Sequence, residues 1–295
     1  MDLRHLRYFL CVAEEMHFGR AARRLGISQP PLSQQIRALE EELGVRLFER
    51  TSRRVTLTDV GRLFAPEARA ALDRADRAMH VARQAQSGEI GRLAIGFTAS
   101  GPFVPRVARA LYAFRQSRPG VELALREESR DEQIDALERH RLDIGIIRGF
   151  DPPALPDGLV ALTLAEEEML LAIREDHPFA SRDDALDIAD LDGEAMVFYN
   201  AVNGAGFNEH FFALCSQAGF APNIVQEAGS LATLLGLVAA GFGATVLAHS
   251  LTRLHVDTLV YRQLTPPVMS RLWLIHRTEA SPTTLAFRRT ILDPG

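Results

Sequence analysis

The stretch FGRAARRLGISQPPLSQQIRALEEELG, Phe18 to Gly44, restricts the fold of this chain more than any other, because two consecutive prolines stand where a helix is due. Proline holds φ at about −65° and lacks an N–H, so it breaks a helix interior but suits the first turn, where the N–H has no intrahelical partner. Pro30 and Pro31 therefore mark the start of a helix, with Ser28 as its N-cap. Leu32, Ile36, Leu39 and Leu43 recur at helical steps as its apolar face, and Gly44 ends it. Upstream, Phe18, Ala21, Ala22 and Leu25 share one face of a shorter helix, Gly26 supplies the positive φ of a helix end, and Ile27 plugs the turn. Leu6, Phe9, Leu10, Ala13 and Met16 predict a helix before that. Short helix, tight turn, amphipathic helix is a helix-turn-helix pattern.

In that pattern the second helix of the pair enters the DNA major groove with its N-terminus leading. Gln29 is then placed to bond base edges, and Pro30 and Pro31 offer apolar surface suited to a thymine methyl. Ser33 and Gln34 follow one turn along, and Arg37 is placed for a base or a phosphate. Next, Leu47, Phe48, Val55 and Leu57 predict two short strands around a polar tip, Arg50 to Arg54, which reads as a wing. Arg53 or Arg54 suits the minor groove, and Arg50 a phosphate. The plainer alternative is an ordinary helix pair with solvated arginines. Charge favours nucleic acid: residues 1–88 carry 15 Arg against 11 Asp and Glu, whereas residues 89–295 carry 18 against 27. A basic head on an acidic body implies that only the head meets a polyanion, here double-stranded DNA.

Composition removes several function classes. All 33 basic residues are arginine, so there is no lysine for a Schiff base or a phosphate loop. The two cysteines, Cys11 and Cys215, are far apart and form no C-x-x-C pair. Nine scattered histidines form no H-E-x-x-H pattern, and no G-x-S-x-G elbow occurs. No cofactor, metal or catalytic residue is expected. Acidic residues such as Glu166 and Glu168 read as solvated surface. No apolar run reaches the roughly 18 residues of a membrane span, and no signal peptide opens the chain, so a cytoplasmic location is expected.

The segment AARRLGISQPPLSQQIRALEEELGVRLFERTSRRVTLTDVG resembles the winged helix-turn-helix of LysR-type transcriptional regulators, from about Leu3 to Gly61. The DNA-binding domain is placed at residues 1–58. Thr58 and Asp59 then predict the cap of a linker helix over residues 59–88, with Pro66 bending its start. Phe64, Ala68, Ala71, Ala75, Ala78 and Ala82 recur as a small-residue heptad seam, which predicts a homodimer or homotetramer; the alternative is a helix packed on its own domain. LysR-type proteins resemble this in dimerising through such a helix.

Residues 89–295 alternate short apolar runs with helical stretches, a parallel α/β pattern. RLAIGF, VELALRE and LDIGIIR begin it; EMLLAIR, AMVFY, NIVQEA and ATVLA continue it; RLWLIHR and a helix over Pro282 to Leu292 end it. The expected fold class is α/β: a winged helix-turn-helix, a long linker helix, and a two-subdomain domain that the LysR-type resemblance implies to be a periplasmic-binding-protein-like effector domain. Subdomain I would hold residues 91–161 and 268–295, and subdomain II residues 162–267. Ligands of such sheets bind beyond the carboxyl ends of strands, here in the cleft between subdomains. Thr98, Ser100, Ser129 and Arg148 stand at those ends on one side, and Tyr199, Asn200, Phe207 and Ser230 on the other. Hydroxyls, helix N-termini and Arg148 suit an organic acid. Equally, the hydroxyls are plain caps, Arg148 pairs with Asp151, and Phe207 is core.

The resemblance extends here. GFTASGPF, ESRDEQIDAL, LDIGIIRG and LGLVAAGFGATVLA are similar to the LysR-type branch that senses aromatic-pathway acids such as benzoate or muconate, and its matching positions are Ser100, Ser129, Arg148 and Phe207. Ser129, where threonine is commoner, and the polar segment near Asn200 depart from that branch. The implied function is a small-effector-controlled transcriptional regulator. The alternative is a small-molecule binding protein whose N-terminal module serves only assembly.

Overall fold

The computed structural model describes residues 1–50, 54–201 and 206–293 and divides the chain into two units, Met1–Gln84 and Ala85–Gly295. No helix among the described residues is long and apolar enough to cross a membrane.

In the first unit the Asp2 carboxylate accepts the N–H groups of Arg4 and His5 and starts α1, Leu3–Glu15. Met16 closes α1 in the left-handed region (φ 47°) with its side chain exposed, so it ends the helix rather than extending its apolar face. Helix α2 spans Phe18–Leu25; Gly26 (φ 68°) ends it, and its N–H reaches back to the Ala22 and Arg23 carbonyls. Helix α3 spans Gln29–Leu43. Ser28 stands at its N-cap but its hydroxyl makes no capping bond, so the prolines alone preset the first turn. Strands β1 (Phe48–Arg50) and β2 (Val55–Leu57) pair antiparallel as the wing. Arg53 lies outside the described residues. Helix α4 spans Asp59–Ser87, and the Thr58 hydroxyl accepts the Gly61 N–H at 2.9 Å. A Cβ on Gly61 would collide with the Leu47 carbonyl, so glycine permits α4 to cross the chain entering the wing.

Leu32, Ile36 and Leu39 are fully buried, and the Phe9 ring packs 5.3 Å from Phe48 and 5.1 Å from Phe64. Each such side chain contributes roughly 1.5–3 kcal/mol of burial energy. The alanine seam of α4 is divided. Phe64 and Ala68 pack into this core, with Leu72 beside them, while Ala71, Ala78 and Ala82 stay exposed. Leu63 (75% exposed), Met79 and Val81 are exposed as well.

The second unit begins with β3 (Ile90–Phe97), α5 (Pro105–Ser117), β4 (Gly120–Glu127), α6 (Arg130–Glu138) and β5 (Ile144–Gly149). These three strands are parallel, with β3 between β4 and β5. The long β6 (Leu159–Arg174) follows, then β7 (Leu186–Asp187), β8 (Ala195–Tyr199), α7 (Phe207–Gln217), β9 (Asn223–Ala228), α8 (Leu231–Ala239) and β10 (Thr245–Ala248). Strands β11 (Leu259–Arg262), β12 (Leu264–Thr265), β13 (Val268–Arg277) and helix α9 (Pro282–Leu292) complete the chain. The main sheet runs β10-β6-β13-β5-β3-β4, with β11 also on β6, and β8 pairs parallel with β9.

Two lobes share that sheet. Leu93, Phe114, Leu164, Leu274 and Phe287 belong to one core, and Met169, Leu171, Phe198, Phe211 and Val246 to the other. On β6 the cores therefore change over between Leu164 and Met169, later than a division at residue 161. Strand β6 pairs with β13 from Leu159 to Met169 and with β10 and β11 from Met169 to Arg174, so one strand serves both lobes.

Candidate functional sites

On the head, Gln29, Pro30, Pro31, Gln34 and Arg37 are exposed along one side of α3, opposite buried Leu32 and Ile36. Arg54 is exposed at the start of the wing's second strand. Arg50 behaves otherwise. Its Nη2 donates to Glu40 Oε2 at 2.8 Å, its Nη1 approaches the half-buried Ser33 hydroxyl at 3.5 Å, and its guanidinium lies 4.7 Å over the Phe18 ring. Arg50 is thus turned toward protein rather than held out for a phosphate, and it covers Ser33. Glu40 also accepts the N–H groups of Leu47 and Phe48 at 2.9 and 3.1 Å through Oε1. One carboxylate of α3 therefore fixes where the wing begins. Sequence reasoning missed Glu40, because no periodicity links an acid on α3 to backbone amides seven and eight residues on.

In the second unit a cavity of about 180 Å³ opens between the lobes. Thr98, Ser100, Ser129, Arg148, Tyr199, Phe207 and Ser230 all line it. Asn200 is not among its lining residues; its backbone N–H bonds the Ala228 carbonyl as β8 ends beside β9. The arrangement follows from strand ends. β3 delivers Thr98 and Ser100, β4 leads to Ser129, β5 carries Arg148, and β9 leads to Ser230.

Most of these polar groups already have partners. The Ser129 hydroxyl donates to Glu132 Oε2 at 2.7 Å within the α6 capping box, and these bonds hold the Glu132 carboxyl below its ordinary range. Ser230 caps α8 through the Thr233 N–H. The capping reading of both serines therefore holds in the structure. Thr98 differs: its Oγ1 is buried with no hydrogen-bond partner among the described residues.

Arg148 does not pair with Asp151. Its Nη2 meets Glu167 Oε2 at 2.6 Å, its Nη1 donates to the Ser270 hydroxyl at 2.9 Å, and its Nε to the Ser100 hydroxyl at 3.0 Å. Sheet register explains this: Ser270 lies opposite Glu167, and Arg148 opposite Leu272, two positions along the same face of β13. The Ser250 hydroxyl also donates to Glu167, at 3.1 Å. Both charged side chains are nearly buried, at 11% and 14% exposure. Burial lowers the Arg148 pKa, and the Glu167 charge works against that shift. Glu166, by contrast, is half-exposed beside Arg271. The acids at 166 and 168 stand on the other side of the pleat from Glu167, an alternation the sequence does carry.

The apolar wall also has parts that sequence reasoning missed. Phe150, just past β5, packs into the second lobe's core, stacks on His210 at 3.8 Å between ring centres, and lies 5.8 Å from Phe207. Phe207 is both a core member and a cavity wall. Met169, Val246 and Leu251 add to the lining. Burial pushes the Tyr199 hydroxyl pKa up, with the negative charge of Glu127 adding to it, so Tyr199 stays a neutral phenol. Among the described residues no group of three or more His, Cys, Asp or Glu could hold a metal, and both cysteines are buried and free.

Comparison with known proteins covers both units. Residues 86–293 match the family model described as the LysR substrate binding domain, and residues 3–62 the model of the bacterial regulatory helix-turn-helix protein, lysR family. The uncharacterized HTH-type transcriptional regulator YnfL of Escherichia coli K12 is 40% identical over 99% of this chain and 98% of its own length. The HTH-type transcriptional regulator AlsR of Bacillus subtilis is 39% identical over 93% of this chain and 89% of its own. Among solved structures, full-length CbnR complexed with its target DNA superposes with a TM-score of 0.83 at 28% identity, covering 99% of both chains.

Proposed function

The chain belongs to the LysR family of DNA-binding transcriptional regulators, not to an enzyme family, and from that premise we propose that a small carboxylate effector in the lobe cavity controls its action at a DNA operator. The observation that carries the DNA part is the exposed row Gln29, Pro30, Pro31, Gln34 and Arg37 at the leading end of α3, with the wing alongside. A major groove accepts a helix presented in that way, and amide and guanidinium groups there read base edges. CbnR, a similar protein, is seen with its target DNA.

Support for an acidic effector comes from the convergence of the Thr98 hydroxyl, the start of α8 and the Arg130 guanidinium on one cavity, where they stand against the carboxylates of Glu127, Glu128 and Glu132. An effector shifts such a regulator only by its difference in affinity between two lobe arrangements. We place the protein in the cytoplasm, where operator and metabolite meet. Footprinting on DNA upstream of neighbouring operons tests the reading. Salt-sensitive protection at an imperfect inverted repeat is the expected result, with Gln29→Ala weakening the cognate site by about 1–3 kcal/mol while leaving non-specific binding unchanged. Equal loss on every sequence would assign Gln29 to the backbone instead.

The exposed stripe on α4, Leu63, Ala71, Ala78, Met79 and Ala82, suits a second copy of the same helix. Ala78→Arg is expected to shift sedimentation toward monomer and to abolish two-half-site protection. Unchanged sedimentation would return α4 to its own domain.

A further inference from the structure

We propose that Arg130, not Arg148, receives the carboxylate of the effector and holds it across the two lobes. The inference rests on the cavity being the effector site and names the residue that reads its charge. Arg148 is poorly placed for that task, because its charge is matched by Glu167 at 2.6 Å and its other bonds go to Ser100 and Ser270. A ligand carboxylate at Arg148 would have to displace Glu167 and leave that carboxylate buried without a counterion.

Arg130 also lines the cavity, together with Glu127, Glu128 and Glu132, and it is less committed than Arg148. Its side chain is 32% exposed, and only Nε is engaged, by Asp131 Oδ1 at 2.9 Å, where the aspartate itself is largely solvated. Among the described residues no acceptor meets its Nη1 or Nη2. An arginine with both terminal nitrogens open and one edge steadied is preorganised for a two-point grip on a carboxylate.

Its reach matters as much as its charge. Arg130 opens α6 in the first lobe, yet its Nη1 occupies the space a Cβ would need on Gly206, which precedes α7 in the second lobe. Gly206 (φ 79°) thereby lets the guanidinium bridge the mouth of the cavity. The amides that open α6 and α7 are already taken by Glu132 and Glu209, so the grip on an anion there falls to the guanidinium, with Thr98 and Ser230 on the same cavity and the Phe150–Phe207 wall for an apolar body.

The test uses the full chain, calorimetry, and a panel of mono- and dicarboxylates including benzoate and cis,cis-muconate, each with its uncharged amide. At least one acid should bind, and its amide at least about tenfold more weakly. Arg130→Gln should weaken the acid by about tenfold or more and leave amide binding unchanged, while Arg130→Lys restores part of the loss. An acid that binds Arg130→Gln as tightly as the parent overturns the assignment but leaves the cavity as the effector site. Binding of amides or amines with no acid bound rejects the carboxylate reading and this assignment together. No binding by any member has the same consequence.

Discussion

Glu167→Ala is expected to destabilise the second unit by about 3–5 kcal/mol in urea unfolding, the usual cost of leaving one member of a buried ion pair uncompensated. The loss arises from Arg148, whose guanidinium would stay buried with only the Ser100 and Ser270 hydroxyls as partners. Replacing both charges, as Glu167→Leu with Arg148→Leu, should recover most of that stability, because apolar side chains of similar volume often match a buried pair. The double-mutant cycle isolates the coupling. A single Glu167→Ala loss under about 1 kcal/mol, the range of a solvated pair, would mean that the pair is not desolvated.

The second large effect is expected in the head. Glu40→Ala removes the acceptor of two backbone N–H groups and of one arginine at once. Loss of charge-assisted bonds at a side chain only 13% exposed predicts about 3 kcal/mol of destabilisation. Operator affinity should also fall by about tenfold or more, since the wing would no longer be held at a fixed angle to α3. The dependence on salt should keep its slope, because Glu40 contributes no phosphate contact. Glu40→Gln should retain a carbonyl for the amides and lose mainly the Arg50 pair. A salt slope that changes with Glu40→Ala would show instead that Arg50, once released, joins the phosphate contacts.

Local rules made much of this molecule legible in advance. Gly26, the Pro30–Pro31 pair and Gly44 each act through their own backbone dihedrals, so α2 and α3 begin and end where the residues alone place them. Pro282 starts α9 for the same reason. Seven of the eight anticipated effector positions line the cavity, because strand ends are set by apolar runs and the cleft by strand ends. What the residues leave unread concerns distant partners. The sequence alone offers Arg148 an effector or Asp151 as partner, whereas Glu167 lies nineteen residues away on a strand two places across the sheet. It assigns Arg50 a phosphate, whereas the partner Glu40 lies across a turn. The α4 seam had one period but two surroundings, a domain core for its first turns and an exposed face beyond them. Periodicity records which residues share a face and is silent about what that face meets.

The 16-residue β6 has a mechanical consequence. It and β13 stay hydrogen-bonded to each other while passing from one lobe into the other. The expected lobe motion is therefore a twist of a two-stranded ribbon rather than a swing on a loose linker. The irregular pairing between Leu272 and Trp273 is where a local increase in twist is expected. If the cavity is the effector site proposed above, its signal should travel as a small rotation with a restoring torque.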